Sequence, residues 1–518
     1  MPTTDADVPA KPGLSQKAAA GVAWSTVSTA GKQALSVLSL ATVARVLGPG
    51  AYGIMGMAAL LIVFISIIRD LGTGTAIIQR PTITNGLLST LFWVNCGFGA
   101  LIAMLVVATS PIVAHFFHQP QLTPILCAIS ISLWLNSAGI VHNSLLMRNM
   151  QFRPLAIADL GSGLAGYVAA LISAYSGLGV WSLVYANITA AFTSTAVYWA
   201  TAAWRPDLEF DRHELRTVAK FSLNLSGFGL TNYFARNSDN LIIGKVLGPV
   251  ALGNYQVAYN LMLTPLQNVS SVIGQVTLPA FAQIQDDNER FRSAYLRSSS
   301  IIALLTFPMM AGLGIVADPL IHCVLGSKWL GAIPIFQILA PIGLIQSVQT
   351  LIAAIYIAKG RTDWFFRWGL YTCAVLIAAF LVGVRFGAVG VAVAYFITYL
   401  VLMMVPGFLI PFSLIGLRMR DYLWALFPQA LLTAGMSIIC WLCLYSLGVY
   451  GITNNWVRLI TTSLLGAGVY TIALYLRPIP AVRHITEILG RSNNRLALKF
   501  VSIIESRTSL TPRFDLPN

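Results

Sequence analysis

The chain has 518 residues, of which 57% are hydrophobic and only 10% are charged, and its formal net charge is +14. This composition excludes the three or four soluble domains that the length alone would suggest, because soluble domains carry far more charge. The excess of positive charge would fit nucleic-acid binding in a soluble protein. Here its distribution indicates membrane topology instead, so we expect an all-α integral membrane protein that binds no nucleic acid.

The first seventeen residues are polar and contain proline, without the apolar core of a signal peptide, and we predict that 1–17 form a disordered cytoplasmic tail. Beyond them, apolar runs of about twenty residues recur, each long enough to cross a hydrocarbon core about 30 Å thick. They lack the apolar/polar alternation of barrel strands, so they predict helices. The fourteen predicted spans are 21–44, 51–68, 87–109, 122–146, 155–175, 180–200, 217–243, 251–278, 298–320, 332–357, 365–384, 388–411, 423–446 and 456–476.

Most of the 32 Lys and Arg residues fall in every second connection of this scheme and in the basic segment 478–518. Cytoplasmic loops of membrane proteins carry an excess of Lys and Arg. The partition therefore supports fourteen spans and predicts that both termini are cytoplasmic.

An internal repeat is visible along the chain. The sequence Val-Leu-Gly-Pro at 46–49, followed by Gly53, recurs at 246–249, followed by Gly253, and Gly177 and Tyr185 correspond to Gly387 and Tyr395. The repeat unit is six helices, and because six is even, the two copies enter the membrane in the same direction and surround a cavity. We predict two parallel six-helix bundles, at 18–203 and 204–413, and two additional helices in 414–477 whose role the sequence does not reveal.

Polar and charged residues mark one face of two repeat-related spans. The first span carries Lys32 within a stripe of Ser and Thr, and the seventh carries Asn232, Arg236 and Asp239 at helical spacing. A charged side chain inside a span costs about 2.5–3.5 kcal/mol, so it normally faces water or a partner. We predict that these residues line one shared cavity that binds an anion. The alternative is that Arg236 pairs with Asp239 and that Lys32 bonds neighbouring carbonyls or extends to the interface.

Three further basic residues lie at the ends of spans. Arg45 and Lys245 precede the repeated motif near the outer interface, and Arg69 ends the second span at the inner side. We include them among the candidate substrate-binding residues, although anchoring at the interface explains them equally well.

Several short segments match enzyme motifs, but the residues around them do not support an enzymatic function. Gly161 to Gly166 fits G-x-G-x-x-G but lies inside an apolar span, which indicates close helix packing rather than dinucleotide binding. Cys440 and Cys443 lack further zinc ligands nearby, and no G-x-x-x-x-G-K-[ST] occurs. We expect no covalent chemistry, no catalytic residue, no metal and no cofactor, with H⁺ or Na⁺ as the possible coupling ion.

Residues 235–265, ARNSDNLIIGKVLGPVALGNYQVAYNLMLTP, strongly resemble the polysaccharide-exporter branch of the multidrug/oligosaccharidyl-lipid/polysaccharide superfamily, which contains the Wzx-type flippases. Residues 69–80, RDLGTGTAIIQR, and 21–49 are similar to its early segments. The resemblance covers essentially 18–480. It implies two six-helix bundles around a central cavity and a flippase for undecaprenyl-diphosphate-linked oligosaccharides in the bacterial inner membrane. It also implies that the protein is surrounded by membrane lipids. The partners that it implies are a polysaccharide polymerase and a chain-length regulator.

Three other functions remain open at this point. A cation-coupled multidrug antiporter shares the fold but favours an acidic pocket, and a peptidoglycan-precursor flippase shares the chemistry of the substrate. A membrane glycosyltransferase or polymerase belongs to a different class and would need a sizeable soluble loop, whereas every predicted outer loop is short. The sequence does not reveal which sugars are carried or whether the protein dimerises.

Overall fold

The computed structural model describes residues 14–69, 73–80, 82–208, 233, 237–476 and 481–482. These residues divide into two compact units, separated along the chain between Gly253 and Asn254. In the residues that the structure describes, both units contain helices and no strands. The predicted bundle limits at 203 and 413 and the terminal tails stay predictions.

The first unit begins with a long helix, α1, at Leu14–Ser39, which continues through a π-helical turn at Leu40–Ala44 and ends with Arg45–Leu47. The helices that follow are α2 (Pro49–Arg69), α3 (Thr73–Gln79), α4 (Asn85–Phe117), α5 (Leu122–Arg148), α6 (Phe152–Tyr175), α7 (Trp181–Thr201) and α8 (237–247). Helix α9, Pro249–Gln283, starts in this unit and continues into the second. The long apolar helices satisfy their own backbone hydrogen bonds, as a lipid environment demands.

The second unit contains α10 (Asn288–Ile315), α11 (Ala317–Val324), α12 (Ala332–Gln349), α13 (Ile352–Ala358), α14 (Thr362–Gly383), α15 (Gly387–Thr398), α16 (Met419–Val449) and α17 (Asn455–Leu476). Helix α15 runs on through a π-helical turn at Tyr399–Met403 into Met404–Ile415. A cluster of aromatic side chains around Tyr295 and Tyr422 forms the core of one end of this unit.

Nine helical stretches in the described residues are long and apolar enough to cross a membrane. One of them, Thr362–Ile415, contains 54 residues and covers two of the predicted spans. Helices α1, α7 and α9 lie at the first, sixth and eighth predicted spans without being among the nine. The fold class is thus confirmed, and the count of fourteen stays a prediction.

The sequence repeat is a repeat of backbone conformation. Gly48 and Gly248 have φ of 76° and 81°, and Gly177 and Gly387 both have 78°. Residues with a side chain rarely adopt a φ in this left-handed region, so each of these turns favours glycine. Pro49 and Pro249 then start their helices, where a missing N–H costs nothing.

The two copies of the motif also contact each other inside the first unit. A Cβ added at Gly53 would lie 1.7 Å from the carbonyl oxygen of Pro249, and one added at Gly253 would lie 2.0 Å from that of Pro49. These distances are far below any real Cβ contact. The first turns of α2 and α9 therefore cross in reciprocal backbone contact, which glycine alone permits at both positions.

In each unit, a basic side chain donates hydrogen bonds to oxygen atoms at or near the end of another helix. Arg148, at the end of α5, donates from Nη1 to the carbonyl oxygens of Ile77 at 2.9 Å and of Arg80 at 2.5 Å. Lys359, directly after α13, donates from Nζ to the carbonyl oxygen of Gln285 and to Asn288 Oδ1 at 2.6 Å. We call these two arrangements the Arg148 clasp and the Lys359 clasp.

The last two helices pack on the second unit. Helix α16 lies along α10, and α17 contacts both α16 and α11. The Tyr470 hydroxyl donates to the carbonyl oxygen of Leu304 at 3.0 Å, and Arg458 Nη1 lies 3.5 Å from Asp318 Oδ2. The additional pair of helices is therefore docked onto this unit along its length.

Candidate functional site

The sequence-predicted cation of the first span has a carboxylate partner. Lys32 Nζ, on α1, lies 2.6 Å from Oδ1 of Asp159 on α6, and the Ser28 hydroxyl donates to Asp159 Oδ2 at 2.8 Å. The distances are those of a charge-assisted hydrogen bond. We call these three residues the Lys32 cluster. It connects two helices within the first unit.

Close packing of α1 on α6 holds the cluster in place. A Cβ at Gly31, next to Lys32, would lie 2.3 Å from Leu160 Cδ2, next to Asp159. One turn further, a Cβ at Gly163 would lie 3.1 Å from Leu35 Cδ1. Small residues at a membrane-helix interface let the backbones approach each other, and here that approach brings lysine and aspartate within bonding distance.

The G-x-G-x-x-G match of α6 is thereby explained as helix packing. Gly163 faces α1, and a Cβ at Gly166 would lie 3.0 Å from the carbonyl oxygen of Ala186 on α7. Gly161 has no such neighbour within 4 Å. Two of the three glycines therefore serve contacts between helices, as the sequence predicts.

Lys32 and Asp159 remain accessible despite their pairing. The side chain of Lys32 is 50% exposed and that of Asp159 is 32% exposed, whereas Ser28 is buried. Each charged residue lies inside a predicted span, and an ion pair that faces hydrocarbon there would be costly. The exposure therefore favours contact with water or with a polar ligand.

Sequence reasoning missed Asp159. It is the one acidic residue in the predicted span 155–175, and a lone carboxylate inside a span is itself a signal of function. A search for acids as well as bases in every span would have found it. Nothing in the sequence, however, indicates that it pairs with Lys32 rather than with another base.

On α8, the carboxylate of Asp239 is buried and Oδ1 accepts a hydrogen bond from the backbone N–H of Asn240 at 2.7 Å. Lys245, at the other end of α8, donates to the carbonyl oxygen of Phe116 and lies 4.7 Å from the centre of the Phe116 ring. Its Nζ is also 3.5 Å from His118 Nδ1. A cation at the last carbonyls of α4 is favoured by the helix dipole, and both the binding and the anchoring interpretations of Lys245 stay predictions.

The remaining candidates are only partly described. Arg45 is exposed in the last turn of α1, and Arg69 ends α2, but its side chain lies outside the described residues. Asn232 and Arg236 also lie outside them. The shared cavity of Lys32 and Arg236, and the alternative pairing of Arg236 with Asp239, both stay predictions.

The second unit has a polar seam of its own, built from uncharged side chains. Gln346 Nε2 donates to the Tyr395 hydroxyl at 2.5 Å, and the Tyr399 hydroxyl donates to Gln349 Oε1. These two pairs, which we call the Gln–Tyr seam, join α12 to α15. Sequence reasoning did not single them out, because neutral amides and phenols in a helix give no charge signal.

The described residues show neither a metal-binding cluster nor a disulfide bond. They contain no group of three His, Cys, Asp or Glu side chains that could hold a metal ion. All six cysteines are free thiols. The described side chains with functional character are instead ion pairs and hydrogen-bonding groups suited to binding a polar ligand.

Comparison with known proteins identifies the family. A family model with the description "Polysaccharide biosynthesis protein" matches residues 42–334, more than half of the chain. The lipopolysaccharide biosynthesis protein WzxC of Escherichia coli (strain K12) is 26% identical over 84% of this chain and 88% of its own length. The succinoglycan biosynthesis transport protein ExoT of Rhizobium meliloti (strain 1021) is 25% identical over 92% and 96%.

Solved structures confirm the fold. The lipid II flippase MurJ, in an inward closed conformation, matches with a TM-score of 0.67 and 15% identity over 87% of this chain and 97% of that one. An inward-facing multidrug resistance MATE family transporter matches with a TM-score of 0.60 and 15% identity over 74% and 94%. At this identity the likeness concerns the fold alone.

The resemblance seen in the sequence is thus confirmed, as are the fold class and the prediction of a transport protein without covalent chemistry. The protein is a multi-pass membrane transport protein and belongs to the polysaccharide biosynthesis protein family.

Proposed function

We propose that the protein is a flippase for undecaprenyl-diphosphate-linked oligosaccharide repeat units, which it moves from the cytoplasmic to the periplasmic leaflet of a bacterial inner membrane for exopolysaccharide export. Alternating access of the two bundles exposes the substrate first to one side and then to the other. A polymerase and a chain-length regulator then receive the repeat unit. Both termini lie in the cytoplasm.

The observation that carries this proposal is an accessible cation, Lys32, inside the first predicted span of a transport protein of polysaccharide biosynthesis. A diphosphate has close to two negative charges, and a cation in a partly dehydrated site attracts it far more strongly than bulk water allows. The lipid tail can remain in the bilayer during transfer. Only the charged head group and its sugars have to cross, and their polarity makes unassisted crossing very slow.

No resident cofactor is part of the proposal. The energy comes from an H⁺ or Na⁺ gradient or from the gradient of the substrate itself. In our scheme Arg236 complements Lys32 from the seventh span, with Asn232 and Asp239 beside it. Arg45, Lys245 and Arg69 guide the head group at the two interfaces.

Deletion of the gene in its native host tests the function. We expect loss of exported polymer and accumulation of lipid-linked oligosaccharide in the cytoplasmic leaflet, measured by extraction and mass spectrometry. Normal export after deletion contradicts the proposal. Loss of export without accumulation indicates an enzyme of assembly, and a drug-sensitive strain with normal polymer indicates the multidrug antiporter.

Complementation of the deletion tests the site. Wild-type protein restores export, whereas Lys32→Ala and Arg236→Ala abolish it although the proteins insert normally. The matched control is Arg385→Ala, which removes an exposed base in the short turn between α14 and α15. Export at the wild-type rate with both Lys32→Ala and Arg236→Ala contradicts the anion site.

A further inference from the structure

The Lys32 cluster presents a problem for an anion site. In the structure the ammonium of Lys32 is already neutralised by the Asp159 carboxylate at 2.6 Å, so it is not available as an isolated positive charge. The Asp159 carboxylate is itself held in position by the Ser28 hydroxyl at 2.8 Å. A substrate phosphate that binds Lys32 has to take the place of a well-positioned carboxylate.

We propose that Asp159 is an exchangeable internal counterion of Lys32, which the diphosphate of the substrate displaces on binding and which displaces the diphosphate on release. The inference rests on the proposed function and adds to it a residue that sets affinity and release. Carboxylate and phosphate oxygens accept the same hydrogen bonds from an ammonium group. Each can therefore occupy the position that the other leaves.

Burial and charge both favour this role over a purely structural one. A structural ion pair inside a protein is normally screened from competitors, but here half of the Lys32 side chain is exposed, as is about a third of Asp159. The packing of Gly31 against Leu160 fixes the two helices independently of the pair. The pair can therefore open without separating α1 from α6.

The counterion also stabilises the substrate-free protein. An unpaired lysine inside a span costs up to about 2.5–3.5 kcal/mol by insertion scales, and Asp159 offsets part of that cost while no substrate is bound. The same carboxylate weakens substrate binding, because only molecules with an open pair can bind. Asp159 also competes with the bound diphosphate for Lys32, which favours release of the head group.

Binding of undecaprenyl diphosphate to the purified full-length protein in nanodiscs tests the proposal. We expect Asp159→Asn to bind about tenfold more tightly than the wild type, as follows if Lys32 is free in about one-tenth of substrate-free molecules. The same variant should turn over more slowly in cells because release is impaired. Asp159→Glu keeps a counterion and should bind with nearly wild-type affinity, and Lys32→Ala should lose binding with or without Asp159→Asn.

The arms of this experiment separate the possible failures. Unchanged or weaker binding by a folded Asp159→Asn protein, when the wild type binds, overturns the counterion and leaves the proposed function intact. Absence of binding by both proteins overturns the proposed substrate and the counterion together. Inorganic pyrophosphate serves as a second probe: equal competition by it shows that the site recognises phosphate alone, whereas weak competition shows that the lipid contributes. A drop in the melting temperature of Asp159→Asn, with no gain in affinity, identifies the pair as a structural contact.

Discussion

The two copies of the repeat share a backbone design but differ in chemistry. In the first, Lys32 and Asp159 form an accessible ion pair between α1 and α6. In the second, Gln346 and Gln349 bond the hydroxyls of Tyr395 and Tyr399 between α12 and α15, without any charge. The left-handed glycines, the helix-starting prolines and the basic clasps, by contrast, occur in both copies.

This difference shows which features of a duplicated fold the backbone conformation requires and which can differ between the two copies. Backbone conformation at the turns favours glycine, because other residues rarely adopt a positive φ, and both copies have glycine there. The polar side chains between the helices are under no such constraint, and they differ between the two copies.

The largest effect is expected where the two copies meet. Gly53→Ala places a methyl group 1.7 Å from the carbonyl oxygen of Pro249, and Gly253→Ala places one 2.0 Å from that of Pro49. Because backbone atoms cannot move aside as a flexible side chain does, each change should cost about 3 kcal/mol or more. Fluorescence-detected size-exclusion chromatography after heating should show little folded protein in either case.

The matched control is Gly50→Ala, whose Cβ would meet only Val250 Cγ2, at 3.7 Å. It should melt like the wild type. If Gly53→Ala is as stable as Gly50→Ala, the two motifs do not cross in the way that the structure shows. If only one of the two glycines tolerates alanine, the crossing is not reciprocal.

Much of this backbone architecture could be predicted from the sequence, whereas the candidate binding site could be predicted only in part. The repeated Val-Leu-Gly-Pro motif, the helix-starting Pro49 and the packing role of Gly163 all follow from local chemistry that one segment shows by itself. The pairing of Lys32 with Asp159 depends on which helix lies next to α1, which no local pattern reveals. The Gln–Tyr seam escaped notice because uncharged polar side chains occur in many membrane helices for reasons of packing alone.

A charge placed in the second unit tests whether its seam must stay neutral. Gln349→Glu keeps the shape of the side chain and can still accept from Tyr399, but it adds a carboxylate without a lysine of the kind that faces Asp159. We expect a loss of about 2.5 kcal/mol, the lower end of the insertion scale for charged residues. Thermal melting in detergent at pH 8 measures it.

Two variants complete this comparison. Gln349→Met removes the bond to Tyr399 without adding charge and should cost only about 1 kcal/mol. In the first unit, Asp159→Glu keeps a carboxylate opposite Lys32 and should be nearly neutral. Equal stability of Gln349→Glu and Gln349→Met would mean that the second unit tolerates charge, and the contrast between the two seams would then have no energetic basis.

The effect at the clasps, where the two copies of the repeat are most alike, should be smaller than that of Gly53→Ala or Gln349→Glu. Arg148→Met keeps the aliphatic stem but removes the donor to the carbonyl oxygens of Ile77 and Arg80, and a charged hydrogen bond of this kind contributes about 1.5 kcal/mol. The effect should be local, so hydrogen exchange at 77–80 should accelerate while the rest of the first unit is unchanged. Lys359→Met should act in the same way on the turn at Gln285, and Arg153→Met, which changes an exposed arginine near the start of α6, should change neither segment. The Lys32 cluster contributes nothing to either clasp, so export should persist in both clasp variants. Loss of export by a correctly folded clasp variant would show that these turns take part in transport.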